Sequence, residues 1–225
     1  MPHSITKTAI LMASAILLAG CNNLLNVNDK GTEKSAQAEQ KMQQTASKVA
    51  NLDLAALEKQ AQTLQRFEYI TADNHYQAYI GAQVELVKSK DATFFYQHGK
   101  LVAVQDKAGA HQFDSAGKLM ASTGNLAADK VQALVAQGNK LAKMLSYTAA
   151  DKRQVNTGDE AKLNYLCVTK IRQVAQTDRV FRSSANTSGS SNRLVAEMRL
   201  NGNQFYKMDC QLEGDRVAKL SLIKK

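Results

Sequence analysis

The side chains best suited by type to chemistry are the thiols of Cys21, Cys167 and Cys210 and the imidazoles of His75, His98 and His111. A thiol can carry a covalent group, oxidise to a disulfide, bind metal or attack as a nucleophile. Neither Cys167 nor Cys210 belongs to a Cys-x-x-Cys pair, and no second Cys or His lies at zinc-ligand spacing from either. Asp73-Asn74-His75 could offer a metal or an acid–base pair. An Asx-rich segment of this kind is also common turn chemistry, which is the stronger reading. His98 falls at a hairpin tip, and His111 begins a strand. No Gly-x-Ser-x-Gly elbow, His-Glu-x-x-His pair or EF-hand loop occurs. The motifs therefore point to no catalytic residue, no metal and no cofactor, and a non-enzymatic role is expected. A hydrolase whose site is assembled from distant residues is the least favoured alternative.

Cys21 has a different setting. His3 and Lys7 lie in a short polar start, followed by the apolar run from Ala9 to Leu18. That run is too short for a permanent span, which takes about 20 residues. It suits the removable core of an export signal. It ends in Leu18-Ala19-Gly20-Cys21, which resembles the lipobox of bacterial lipoproteins. The resemblance covers only the start of the chain. It implies that residues 1–20 are removed as a signal peptide and that Cys21 is lipidated, with palmitate-type acyl chains on thiol and amino terminus. Two or more such chains anchor a protein stably. Asn22, rather than Asp, follows the cysteine. The resemblance then implies the outer membrane, facing the periplasm. With Cys21 taken by lipid and the compartment oxidising, Cys167 and Cys210 are expected to pair as a disulfide. In the chain-entropy account, a loop of that length stabilises by roughly 4 kcal/mol.

Removing residues 1–20 leaves 205 of 225, enough for one domain or two small ones. The formal net charge is +9, and loss of Lys7 lowers it by one. The bases are dispersed, without a dense block interleaved with aromatics, so nucleic acid is not an expected partner. The one proline is Pro2 and tryptophan is absent. Turns must then be built from Gly, Asn, Asp and Ser.

The elements follow from periodicity. Residues 21–46 are polar and read as a tether. Asp53 and the spacing of Leu54, Leu57, Ala61 and Leu64 predict a helix over about 47–66. Alternation from Tyr76 to Leu86 predicts one half-buried strand. Runs flanking His98-Gly99 and the segment 112–120 predict hairpins. Val131, Leu134, Val135, Leu141, Ala142 and Leu145 predict a helix over 125–147, with Asn125 as its cap and Gly138 interrupting it. Further strands are predicted from Leu163 to Gln173, Val180 to Arg182, Leu194 to Leu200, Gln204 to Leu212 and Val217 to Ile223. Asn201-Gly202 and Gly214-Asp215 supply turns. Ser183 to Asn192 reads as an exposed, mobile loop.

The expected fold is α+β: two helix-plus-antiparallel-sheet units with helices packed on the sheets. Residues 47–148 form the first unit, and 149–225 complete a second with the helix 125–147. Aromatic residues from Phe67 to Tyr96 are expected in the core. Tyr79 shares a face with Gln77 and Gln83 and is the best candidate for an exposed contact. The anticipated role is a membrane-anchored lipoprotein that binds another envelope protein or supports envelope assembly. A module binding an envelope glycan or lipid is the alternative.

Overall fold

A computed structural model describes residues 48–148 and 158–225. The short strands β1 (Lys48–Val49) and β2 (Leu52–Asp53) pair with each other and lead into helix α1 (Leu54–Ala61). A run of seven strands follows: β3 (Gln65–Ile70), β4 (His75–Ile80), β5 (Val84–Lys88), β6 (Ala92–Gln97), β7 (Lys100–Asp106), β8 (Gly109–Phe113) and β9 (Leu119–Ser122). Helices α2 (Ala128–Leu145) and α3 (Asp159–Ala175) come next. The last strands are β10 (Val180–Arg182), β11 (Arg193–Leu200), β12 (Gln204–Glu213) and β13 (Arg216–Lys224). The fold class is mixed α+β.

Strands β3 to β13 form one eleven-stranded sheet in the order β10-β11-β12-β13-β3-β4-β5-β6-β7-β8-β9. Neighbours pair antiparallel everywhere except at β13–β3, which is parallel. Three residue pairs make that junction: Lys219 with Glu68, Leu220 with Tyr69, and Ser221 with Ile70. A seven-stranded meander and a four-stranded meander thus meet at one parallel seam.

Several expectations are corrected. The predicted strand from Leu163 to Gln173 is helix α3, whose buried residues Leu163, Leu166, Cys167, Lys170, Ile171 and Val174 recur at helical spacing. Asp159 and Glu160 in its first turn and Arg172 in its last suit the helix dipole. The helix expected over 47–66 is the shorter α1. Asp53 does cap it, accepting from the Ala56 N–H at 3.1 Å. Its end comes early because Gln65 already belongs to β3, a strand internal to the sheet. The single strand from Tyr76 to Leu86 is two, folded at Gly81 by a bond from its N–H to the Gln83 carbonyl. Alternation survives this turn and hides it. Helix α2 starts after Ala127 with no side-chain cap, so Asn125 does not serve. Its strand neighbours are β5 and β7, and it touches α3.

The larger core joins Phe67, Ile80, Phe94, Leu101 and Phe113 of the long meander to Leu141 and Leu145 of α2. It continues through Leu163 and Ile171 of α3 to Leu194, Met208 and Leu220. Gly138 is the point of closest approach. A Cβ there would lie 2.7 Å from a Leu101 methyl, and its carbonyl accepts from the Tyr96 hydroxyl at 2.7 Å. A smaller core on the other face joins Tyr79, Leu86, Phe95 and Ala103 to Val49, Leu54 and Ala61.

The segment from Ser183 to Asn192 is an exposed loop, as expected, and it is bonded to β11. Ser183 and Thr187 N–H groups donate to the Glu197 and Val195 carbonyls of β11, each at 2.9 Å. The Asn186 Oδ1 accepts from the Val195 N–H at 3.0 Å, and the Ser184 hydroxyl oxygen accepts from the Glu197 N–H at 2.8 Å. Side chains here supply what a strand partner's backbone would, and they occupy an otherwise open edge.

Candidate functional site

Cys21, the residue expected to carry lipid, lies outside the described residues. Cys167 and Cys210 come together at disulfide distance, with sulfurs 2.08 Å apart and both residues fully buried. Cys210 lies on β12, as anticipated. Cys167 lies on α3 rather than on a strand, so the pair staples helix to sheet across 43 residues of chain.

The histidines do not converge. His75 is half-exposed on β4, with its Nε2 3.7 Å from the Glu68 carboxylate. Asp73 and Asn74 sit in the turn before it, where Thr71 bonds to the Asn74 backbone. His98 occupies the tip of the β6–β7 hairpin at a positive φ of 52°. It lines a cleft of about 470 Å³ with Leu57, Gln60, Gln83, Glu85 and Gln97.

His111 is the surprise. It is fully buried, with Nδ1 2.8 Å from the Ser122 Oγ and Nε2 3.4 Å from the Asp106 Oδ1. Ser, His and Asp in a chain are the components of a nucleophilic triad. The hydrogen bonds assign them another task. The Ser122 hydroxyl donates to the Gly124 carbonyl and accepts from the Gly124 N–H at 3.2 Å. Its proton is therefore directed to backbone rather than to the imidazole. Asp106 accepts from the Ala108 and Gly109 N–H groups at 2.8 and 3.2 Å. The three side chains brace the turns around β8. Sequence could not reveal the set, because its members come together only through strand pairing.

Tyr79 is 9 % exposed and belongs to the smaller core. The expected polar face is covered there by α1 and β1–β2, so Tyr79 is not an exposed contact. Lys170 is a residue that sequence reasoning does not single out. It is fully buried, and its Nζ donates to the Ser146 carbonyl at 3.1 Å and to the Gln173 Oε1 at 2.9 Å. The ammonium is 5.0 Å from the Phe67 ring centre and 4.8 Å from that of Tyr147. With Gln173, which donates to the same carbonyl at 2.7 Å, it satisfies the C-terminal end of α2.

Tyr69 stacks on Tyr76, with ring centres 6.2 Å apart. Burial, and secondarily the neighbouring Tyr206 and Tyr76, push the Tyr69 hydroxyl up to about 12. It stays protonated and neutral in water near neutrality. No cluster of three or more His, Cys, Asp or Glu capable of holding a metal occurs among the described residues. No helix among them is long and apolar enough to cross a membrane.

The chain is 44% identical over 235 residues to uncharacterized protein PM0674 of Pasteurella multocida, with 98% of each chain covered. No family profile matches it, and no solved structure does.

Proposed function

We propose, for a chain that belongs to one family with the Pasteurella multocida protein PM0674, a role as an exported lipoprotein that binds another envelope protein or supports envelope assembly. Lipid on Cys21 holds it to the outer membrane, facing the periplasm, and its work is binding rather than catalysis. The observation that carries this reading is the buried Cys167–Cys210 pair. Structural disulfides persist in oxidising compartments and are rare in the cytosol. Within the sheet we infer two helix-bearing units meeting at the β13–β3 seam. Helix α2 lies by β5 and β7, and α3 by β10, β11 and β13.

Intact mass of the membrane-extracted protein tests the anchor. A polypeptide starting at Cys21 with three acyl chains is expected, and Cys21→Ser should move the protein to the soluble fraction. An unlipidated mass overturns the anchor. Photocrosslinkers at Gln83 and Gln97 test the partner. Adducts with a defined envelope protein support it, and silence at both sites in intact cells counts against it.

The alternative is a ligand-binding module. The cleft beside His98 favours it, since its volume of about 470 Å³ falls within the range of small-molecule sites. Native mass spectrometry of the extracted protein separates the two. A retained glycan or lipid adduct supports the module, and bare protein supports the protein-binding reading.

A further inference from the structure

The sheet is covered unevenly. Along β4–β8 of the long meander both faces are buried, one in each core. On β10–β13, Leu194, Met198, Met208 and Leu220 point into the larger core, while their neighbours in sequence point to water. Strand register places four of those outward residues in one row. Phe181 pairs with Arg199, and Arg199 with Phe205. Lys225 follows, its N–H donating to the Phe205 carbonyl at 2.9 Å. Aromatic and cation alternate across the row.

Phe181 is 54 % exposed and Phe205 44 % exposed. The Arg199 guanidinium is 5.7 Å from the Phe181 ring centre. Arg193, Lys207 and Lys219 share this face with three acids on these strands, Glu197, Asp209 and Glu213. Glu197 is paired with Lys225, and Asp209 with Arg193. Arg199 and Lys207 make no ion pair among the described residues. The face thus combines excess positive charge with two large apolar side chains in water.

Few surfaces satisfy both. An acidic protein segment would answer the cations but cover the rings only where apolar side chains stand in register with both. The headgroup zone of an anionic bilayer offers phosphates at the depth of basic residues and apolar chains just beneath, where aromatic rings settle. Reach is no obstacle. Cys21 and Lys48 are 27 residues apart, a connection that could extend at most roughly 90 Å.

We propose that the Phe181–Arg199–Phe205–Lys225 row docks on the anionic phospholipid surface of the membrane that carries the chain. The inference rests on the lipid-anchor reading above, and the test separates the two. The chain has no tryptophan, so Phe181→Trp or Phe205→Trp installs a single reporter in an exposed position. Met120→Trp, on β9 at the opposite edge of the sheet, is the control. Each full chain is extracted from membranes and reconstituted into vesicles of brominated phosphatidylcholine, alone or with a third of phosphatidylglycerol.

The indole emission of each variant and its quenching by bromine are then read. Blue-shifted, quenched emission from both row variants only in the anionic vesicles, with the control unquenched, is the expected result. Arg199→Gln combined with Lys207→Gln should weaken that partitioning on the order of tenfold. Reporters that stay unquenched while the protein floats with anionic vesicles overturn the docking and leave the anchor standing. Protein that does not float overturns the anchor instead. In that case the same vesicles are added from outside, where quenching still supports the docking row and its absence overturns it.

Discussion

At the residue scale, two groups give the sharpest expectations. Cys167 and Cys210 close a span of 43 residues within the core. Removing a native disulfide costs about 2–5 kcal/mol. Cys167→Ala with Cys210→Ala should lower the urea midpoint accordingly and make the protein insensitive to reductant. Unchanged stability would mean that packing alone holds α3 in place. Asp209 carries the second expectation. Arg193 donates to its two carboxylate oxygens at 2.9 and 2.7 Å, and this bonding holds the carboxyl below the ordinary carboxylate range. A lowered folded pKa means the pair contributes stability above the unfolded carboxylate pKa of about 4. That contribution is lost as pH falls through the folded value. Wild type and Asp209→Asn should therefore show their full difference in urea midpoint above about pH 4 and converge as pH falls below it. A constant gap across roughly pH 3 to 7 would show that charge is not the cause.

At the element scale, the Ser183–Asn192 segment makes the clearest case. Asn186 accepts from the Val195 and Ser188 N–H groups, both at 3.0 Å, and donates to the Arg193 carbonyl at 3.1 Å. Asn186→Ala should cost about 1–2 kcal/mol and speed hydrogen exchange at Val195 ahead of the sheet interior. Unaltered exchange there would mean the backbone bonds of Ser183 and Thr187 suffice. Composition alone marks this stretch as a loose loop, because bonds from Ser and Asn side chains to a distant strand leave no periodic trace. Turns are far more legible. Asn201-Gly202 and His98-Gly99 sit in hairpins because both positions take positive φ, which their residue types tolerate. Helix α3 reads as a strand although helical spacing is present. Lys170 interrupts the apolar stripe, and Val168, Thr169 and Ile171 imitate a strand. The brace of His111, Ser122 and Asp106 is invisible in sequence, as is the burial of Tyr79, since both depend on which elements meet.

At the scale of the whole molecule, β13 decides cohesion. It lies between β12 and β3 and joins the two meanders. Ending the chain after Glu213 should abolish the cooperative urea transition rather than merely shorten the sheet. A retained transition would show that the long meander folds without the seam. The same placement sets a timetable. β13 follows every other described element in the chain, yet it fills the middle of the sheet. A polypeptide delivered from its amino terminus must therefore wait with β3 and β12 each lacking a neighbour. Unpaired strand edges recruit other chains. The period between emergence of β3 and arrival of Arg216–Lys224 is then the protein's most hazardous, and slowing delivery of the final segment should raise aggregation more than slowing any earlier one.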